Sequence, residues 1–147
     1  MTGEFIDCCD FMVVINGEGA ILGRLASVVA KNILMGEEVI IVNVEKIVIS
    51  GNPRKSMEYF LEKRQRGTSV RGPYYPRYPD RIFRRVVRGM IPYKKAKGRV
   101  ALKRLRVFMG CPSEYKNLVK IGKTVEELRA KYTTLGEISK HLGAKVG

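Results

Sequence analysis

Two short apolar runs on either side of one helix-length segment constrain this chain more than any other feature. Met12-Val13-Val14-Ile15 is rich in β-branched residues and ends at Asn16-Gly17, and Glu38 to Val44 (EVIIVNV) repeats that character. Continuous apolar runs of this length read as strands covered on both faces. Between them, Ala20 to Met35 sets Ile21, Leu22, Leu25, Val28, Val29 and Leu34 along one side of a helix, and Gly36 stops it. Strand, helix and strand with such short links predict a parallel pair, and therefore an α/β layered fold with a mostly parallel sheet. Lys46 to Ile49 (KIVI) either prolongs the second strand or forms a short partner. At 147 residues the chain has one domain's length, and with 45% hydrophobic residues it can bury a core.

Downstream, Ser50-Gly51-Asn52-Pro53 is a turn, with Asn52 placed as N-cap and Pro53 at the first helical position. The helix it opens should run from about Arg54 to Gln65 and bury Met57, Phe60 and Leu61. Gly67 to Pro79 (GTSVRGPYYPRYP) holds three prolines, two glycines and three tyrosines, so it is a loop or an arm. Asp80 can cap a helix running to Val87 or Arg88, closed by Gly89 and Pro92. Ala96 to Arg104 is a short helical stretch, and Leu105 to Met109 alternates like a strand. Thr124-Val125-Glu126-Glu127 resembles a capping box and predicts a helix to about Tyr132, with another over Leu135 to Leu142. There are no repeats and no low-complexity segment.

Gly17, Gly19 and Gly23 fall at the first strand-to-helix turn and tempt a dinucleotide reading. The spacing is one residue long, Glu18 would oppose a phosphate, and the second strand ends on Asn43 and Glu45. A tight turn with close helix packing is the better reading, and 147 residues leave no room for a substrate domain. Cys8, Cys9, Cys111 and His141 supply no zinc spacing and no local nucleophile–base pair, so no metal, cofactor or catalytic residue is expected. Residues 1–11 carry three acids and no basic side chain, unlike a secretory signal, and no apolar run reaches the roughly 18 residues of a membrane helix. With an odd set of scattered thiols, the expectation is a cytosolic protein.

Charge is distributed unevenly. Residues 1–50 balance at −4, residues 51–110 at +15 and residues 111–147 at +3, within a net +14. A one-sign field of that size repels itself and calls for a polyanion, of which nucleic acid is the obvious one. Arg81, Arg84, Arg85 and Arg88 recur at helical spacing, with Ile82, Phe83, Val86 and Val87 on the opposite side. Without interleaved acids those arginines would destabilise a free helix, so the pattern points to phosphate. An anionic membrane suits it poorly, because the apolar side is needed for the core. Reversing Arg84 and Arg85 should then abolish binding and leave the fold intact. Arg71, Tyr74, Tyr75, Arg77 and Tyr78 mix cations with aromatic rings in the loop, as single-stranded RNA recognition does. Arg54, Lys55, Arg64 and Arg66 on the preceding helix are counted with the same surface. A messenger RNA or DNA regulator would use that surface too.

Val87-Arg88-Gly89-Met90-Ile91-Pro92, then Gly98-Arg99, then Leu105-Arg106-Val107-Phe108-Met109-Gly110 resembles the signature of the universal large-subunit ribosomal protein thirteen family. Leu22-Gly23-Arg24-Leu25-Ala26-Ser27 and Val44-Glu45-Lys46-Ile47-Val48-Ile49-Ser50-Gly51 are similar to it as well, and the tail from Ser113 to Leu142 resembles its archaeal and eukaryotic branch. The resemblance implies a three-layer α/β/α sandwich around a mixed, mainly parallel four-stranded sheet. It divides one domain into an extension (1–11), a family core (12–110) and a helical tail (111–147). It also implies a non-catalytic role on ribosomal RNA beside neighbouring ribosomal proteins. RNA contact carries over to Arg88, Lys94, Lys95, Lys97, Arg99, Lys103 and Arg104.

Overall fold

The computed structural model describes residues 12–115, 118–121, 124–125 and 130–146. Strand β1 (Met12–Asn16), helix α1 (Leu22–Met35) and strand β2 (Glu38–Val42) form the expected crossover, with β1 and β2 parallel in the register Met12↔Glu38 to Asn16↔Val42. Strand β4 (Leu105–Val107) pairs on the far side of β2, also parallel, so β2 is central. Its side chains divide by parity. Ile15, Val39, Ile41 and Leu105 join the main core, whereas Val14, Ile40 and Val42 pack on the opposite face with Phe108 and Tyr115. Burial on both faces is why the strands read as unbroken apolar runs.

Among the described residues the sheet has three strands, not the four expected. Asn43 adopts a left-handed conformation (φ 55°), and a 3-10 turn over Val44–Lys46 ends β2. The chain leaves the sheet there, so β3 (Val48–Ser50) pairs antiparallel with β5 (Tyr132–Thr134) in a separate ribbon. At the outer edge of β1, Val119 is held by two bonds, its N–H donating to the Val14 carbonyl (2.9 Å) and its carbonyl accepting from Asn16 (3.0 Å). The face carrying Val14 and Ile40 is covered by Phe108 and Tyr115, and α1 with the helices over Pro79–Met90 and Leu135–His141 contributes to the other core.

Helix α1 ends as expected on left-handed Gly36 (φ 112°). Its buried stripe is Leu22, Leu25, Ala26, Val29, Ala30 and Ile33, so Val28 and Leu34, expected inside, are only half-buried. Two of the six are alanines, Ala26 and Ala30. Helix α2 (Pro53–Gln65) starts as predicted, Asn52 Oδ1 accepting from the Arg54 N–H (3.1 Å), but only Phe60 is fully buried; Met57 and Leu61 lie at its margin.

In helix α3 (Pro79–Met90) the N-cap position falls to Tyr78, which makes no side-chain capping bond, and not to Asp80. Pro79 occupies the first position, and Asp80 lies inside the first turn with one carboxylate oxygen buried and without a partner among the described residues. The helix also runs through Gly89, since Pro92 is what ends it. Helix α4 (Ala96–Lys103) follows. The predicted helix from Thr124 crosses 126–129, outside the described residues, and its expected end at Tyr132 is instead the start of β5. The capping box that does form is Thr134–Glu137, opening α5 (Leu135–His141).

Candidate nucleic-acid interface

Helix α3 is two-sided. Ile82, Phe83 and Val87 are fully buried, Val86 is half-buried, and Arg81, Arg84 and Arg88 are exposed. The four arginines expected together are together: Arg81, Arg84, Arg85 and Arg88 line one cavity of about 310 Å³ with Tyr74, Pro76 and Leu102. Among the described residues no carboxylate lines it. Their hydrogen bonds separate them into two pairs. Arg84 donates to the carbonyls of Leu102 (3.3 Å) and Leu105 (3.5 Å), tying α3 to the end of α4 and the start of β4. Arg85 donates to Pro73 (3.0 Å) and Tyr74 (3.2 Å), and its guanidinium lies 4.8 Å above the Tyr75 ring. Reversing Arg84 and Arg85 would therefore remove these ties along with the charge. A guanidinium carries more donors than such contacts consume, so both retain some for a phosphate.

The tyrosine segment is a folded loop. Thr68 and Arg71 close it with a backbone bond of 2.6 Å, and the Tyr74 hydroxyl donates to Ser69 (3.0 Å). Tyr74 takes a positive φ of 28° and is exposed, while Tyr75 is packed against Phe60, and burial pushes its phenol above the usual range despite Arg85 nearby. Arg71 and Arg77 are exposed.

The turn after α3 and α4 present Lys94, Lys95, Lys97, Arg99 and Lys103, all exposed. Gly98 is buried in the same helix, and a Cβ there would collide with the Pro92 carbonyl, so this glycine lets the turn close on α4. Arg104 is half-buried and donates to the Ile33 carbonyl (3.4 Å) near the end of α1, so part of its role is internal. On α2, Arg54 and Arg66 pair with Glu58 and Glu62 one turn away, in exposed contacts that compete weakly with phosphate. Lys55 and Arg64 are exposed.

Two residues escaped the sequence reading. Tyr59 and Lys63 lie on the same face of α2 as Lys55, and Lys63 Nζ sits 4.1 Å above the Tyr59 ring. Spacing of four, from 55 to 59 to 63, was the available signal.

The first glycine of the turn is held tightly against the fold. A Cβ on Gly17 would lie 2.9 Å from Ile47 and 3.1 Å from the Val42 carbonyl, so the turn is packed against the end of β2. Glu18 and Lys46 pair across it at 2.9 Å, which lowers the Glu18 carboxyl and raises the Lys46 amine. Among the described residues a Cβ on Gly23 meets nothing within 4 Å, so the third glycine does not serve the tight packing that a dinucleotide fingerprint requires.

The family model for ribosomal protein L13 matches residues 10–114. Among curated proteins, the large ribosomal subunit protein uL13 of Methanosarcina barkeri is 48% identical over 139 residues, 91% of this chain and 99% of its own length. Its namesake in Methanocaldococcus jannaschii is 51% identical over 139 residues, with the same two shares. That of Archaeoglobus fulgidus is 46% identical over 144 residues, 91% of this chain and 89% of its own.

Proposed function

We propose, for a chain that belongs to the ribosomal protein L13 family, a structural and non-catalytic place in the large ribosomal subunit, held on ribosomal RNA by its basic half. The observation that carries the site is the convergence of Arg81, Arg84, Arg85 and Arg88 on one cavity with no acid among the described residues that line it. Guanidinium forks match phosphate oxygens, and gathering four of them is favourable only when an anion arrives. Lys94, Lys95, Lys97, Arg99 and Lys103 extend the charge along the adjoining turn and helix; Arg54, Lys55, Arg64, Arg66, Arg71 and Arg77 continue it over α2 and the loop. An irregular surface of this kind suits folded RNA backbone better than a regular groove. The sheet and buried helix faces supply rigidity, and counterion release supplies most of the affinity. Ribosomal RNA and neighbouring ribosomal proteins are its partners in this reading.

The test separates binding from folding by choosing the two arginines that hold no backbone carbonyl among the described residues. Arg81→Glu with Arg88→Glu should leave the circular dichroism spectrum unchanged and reduce co-sedimentation with large subunits at least about tenfold, since two charge reversals at phosphate each act through the counterion slope. Normal sedimentation of that double variant would remove α3 from the RNA face. Wild-type protein bound to messenger RNA at the top of the gradient would instead favour a regulatory role for the same surface.

A further inference from the structure

A second cavity, of about 760 Å³, opens between α2, β3, α3 and the tyrosine loop. Its aromatic surface comes from Tyr59, Phe60 and Tyr75. Tyr59 meets Phe60 edge-on at 5.5 Å and 85°, and Phe60 lies 5.9 Å from Tyr75 at 59°. Its charge comes from Lys55, Lys63 and Arg85, and among the described residues no Asp or Glu lines it. Gly51 and Gly89 also stand on its wall, and a Cβ built on either meets no described atom within 4 Å, so the space continues past them.

We propose that this cavity receives a single unpaired RNA base, stacked on Tyr59, with the flanking phosphates on Lys55 and Lys63. The inference rests on the RNA-binding reading above and adds that part of the bound RNA is splayed out of its helix. The cavity falls in the range of about 300–1,000 Å³ that accepts groups of small-molecule size. Tyr59 is 52% exposed although it adjoins the core residue Phe60, so its ring is accessible and held at the same time. Lys63 Nζ lies 4.1 Å above Tyr59 and 5.8 Å from the Tyr75 centroid. A cation over an exposed ring is held weakly, and base stacking on that ring is the stronger contact. The base therefore displaces the ammonium, which swings to the phosphate the base brings with it. An acidic peptide would answer the three cations but leave the ring faces unused, which is why RNA is the better occupant.

The experiment uses the full chain and two labelled oligomers of about ten nucleotides: oligouridylate, and the same ribose–phosphate backbone without bases. Affinity is read by anisotropy at one salt concentration. The wild type should prefer the oligouridylate at least about fivefold, the lower bound for one base–aromatic stack. Tyr59→Ala should erase that preference, and Tyr59→Phe, which keeps the ring, should restore it. Persistence of the preference in Tyr59→Ala, or its absence in the wild type, overturns the proposal. So does tighter binding of a polyglutamate peptide than of oligouridylate. If the wild type sediments with large subunits but shows no base preference, the pocket falls and the RNA reading stands; if it binds neither oligomer nor subunit, the parent reading fails.

Discussion

Arg84 and Arg85 are neighbours in sequence, yet each fastens a different part of the molecule to α3. Arg85 holds the loop through the carbonyls of Pro73 and Tyr74 and the face of Tyr75. Arg85→Ala should therefore cost about 1 kcal/mol, below the range of about 1.5–3 kcal/mol for charge-assisted bonds because solvent screens them. The sharper readout is local: amide exchange over residues 67–78 should accelerate while the β2 amides keep their protection. Equal acceleration in both would mean the loop is not a separate unit. Glycines give a second contrast at this scale. Ala normally improves a helix position by up to about 1 kcal/mol over Gly. In α4 that gain is outweighed at Gly98, where the added methyl meets the Pro92 carbonyl; overpacking costs about 1–3 kcal/mol. Gly98→Ala should lower stability in urea, and Gly23→Ala, with open space around it, should leave it equal or raise it by a few tenths to about 1 kcal/mol. The motif Gly98-Arg99 thus joins a steric requirement to a surface charge, and nothing in the sequence distinguishes the two.

At the scale of elements, what could be read were those whose signals are local. β1, α1, β2, the Asn52-Pro53 start of α2 and the two-sided α3 follow from period, cap and breaker within a few residues. What could not be read depends on partners distant in the chain. β3 has the composition of a strand either way, and only its pairing with β5, over eighty residues on, takes it out of the main sheet. The alanines of α1 carry no hydrophobic signal comparable to Val28 or Leu34, yet they lie on the buried stripe with Leu22, Leu25, Val29 and Ile33. Thr134-Leu135-Gly136-Glu137 is masked as a cap because Thr124–Glu127 has the same pattern ten residues earlier. The cap that forms has a measurable signature. The Thr134 N–H, then the Thr133 hydroxyl, donate to the Glu137 carboxylate and hold it below the usual range. A carboxyl depressed in the folded state stabilises above its unfolded value and loses that contribution as pH falls through the folded one. Glu137→Gln should therefore destabilise at neutral pH by about 1 kcal/mol, the scale of a missing cap. The difference from wild type should shrink below about pH 4, where the unfolded carboxyl protonates. A difference that stays constant down to about pH 2, below the ordinary carboxyl range, would assign the loss to packing.

Across the whole molecule, charge and apolar residues are sorted by position in the chain. Within the first fifty residues, at −4, residues 12–42 hold the parallel pair and its crossover helix; the next sixty, at +15, supply α2, the loop, α3, α4 and β4. The charge imbalance was legible because summing needs no structure. Which cations converge was legible on α3, where helical period alone places four arginines. The aromatic cavity was not, because Tyr59, Phe60, Tyr75 and Arg85 come from three segments whose packing no local pattern announces. Among the described residues only three ion pairs form, all exposed, so most of the positive charge there has no acid beside it. Salt should then act in opposite directions on two properties. On RNA, each phosphate that the protein neutralises makes log K fall by about 0.7–0.9 per decade of salt, so Arg81→Glu with Arg88→Glu should reduce the slope by about 1.5. In the free protein, salt screens repulsion instead. Between about 10 mM and about 150 mM the screening length falls from about 30 Å to about 8 Å, which covers the distances between neighbouring basic elements. The melting temperature of the RNA-free chain should rise over that interval, and rise less in the double variant, whose field is four charges weaker. A melting temperature that falls with salt would mean the three exposed ion pairs outweigh the repulsion, and the basic half would then be at ease without a polyanion.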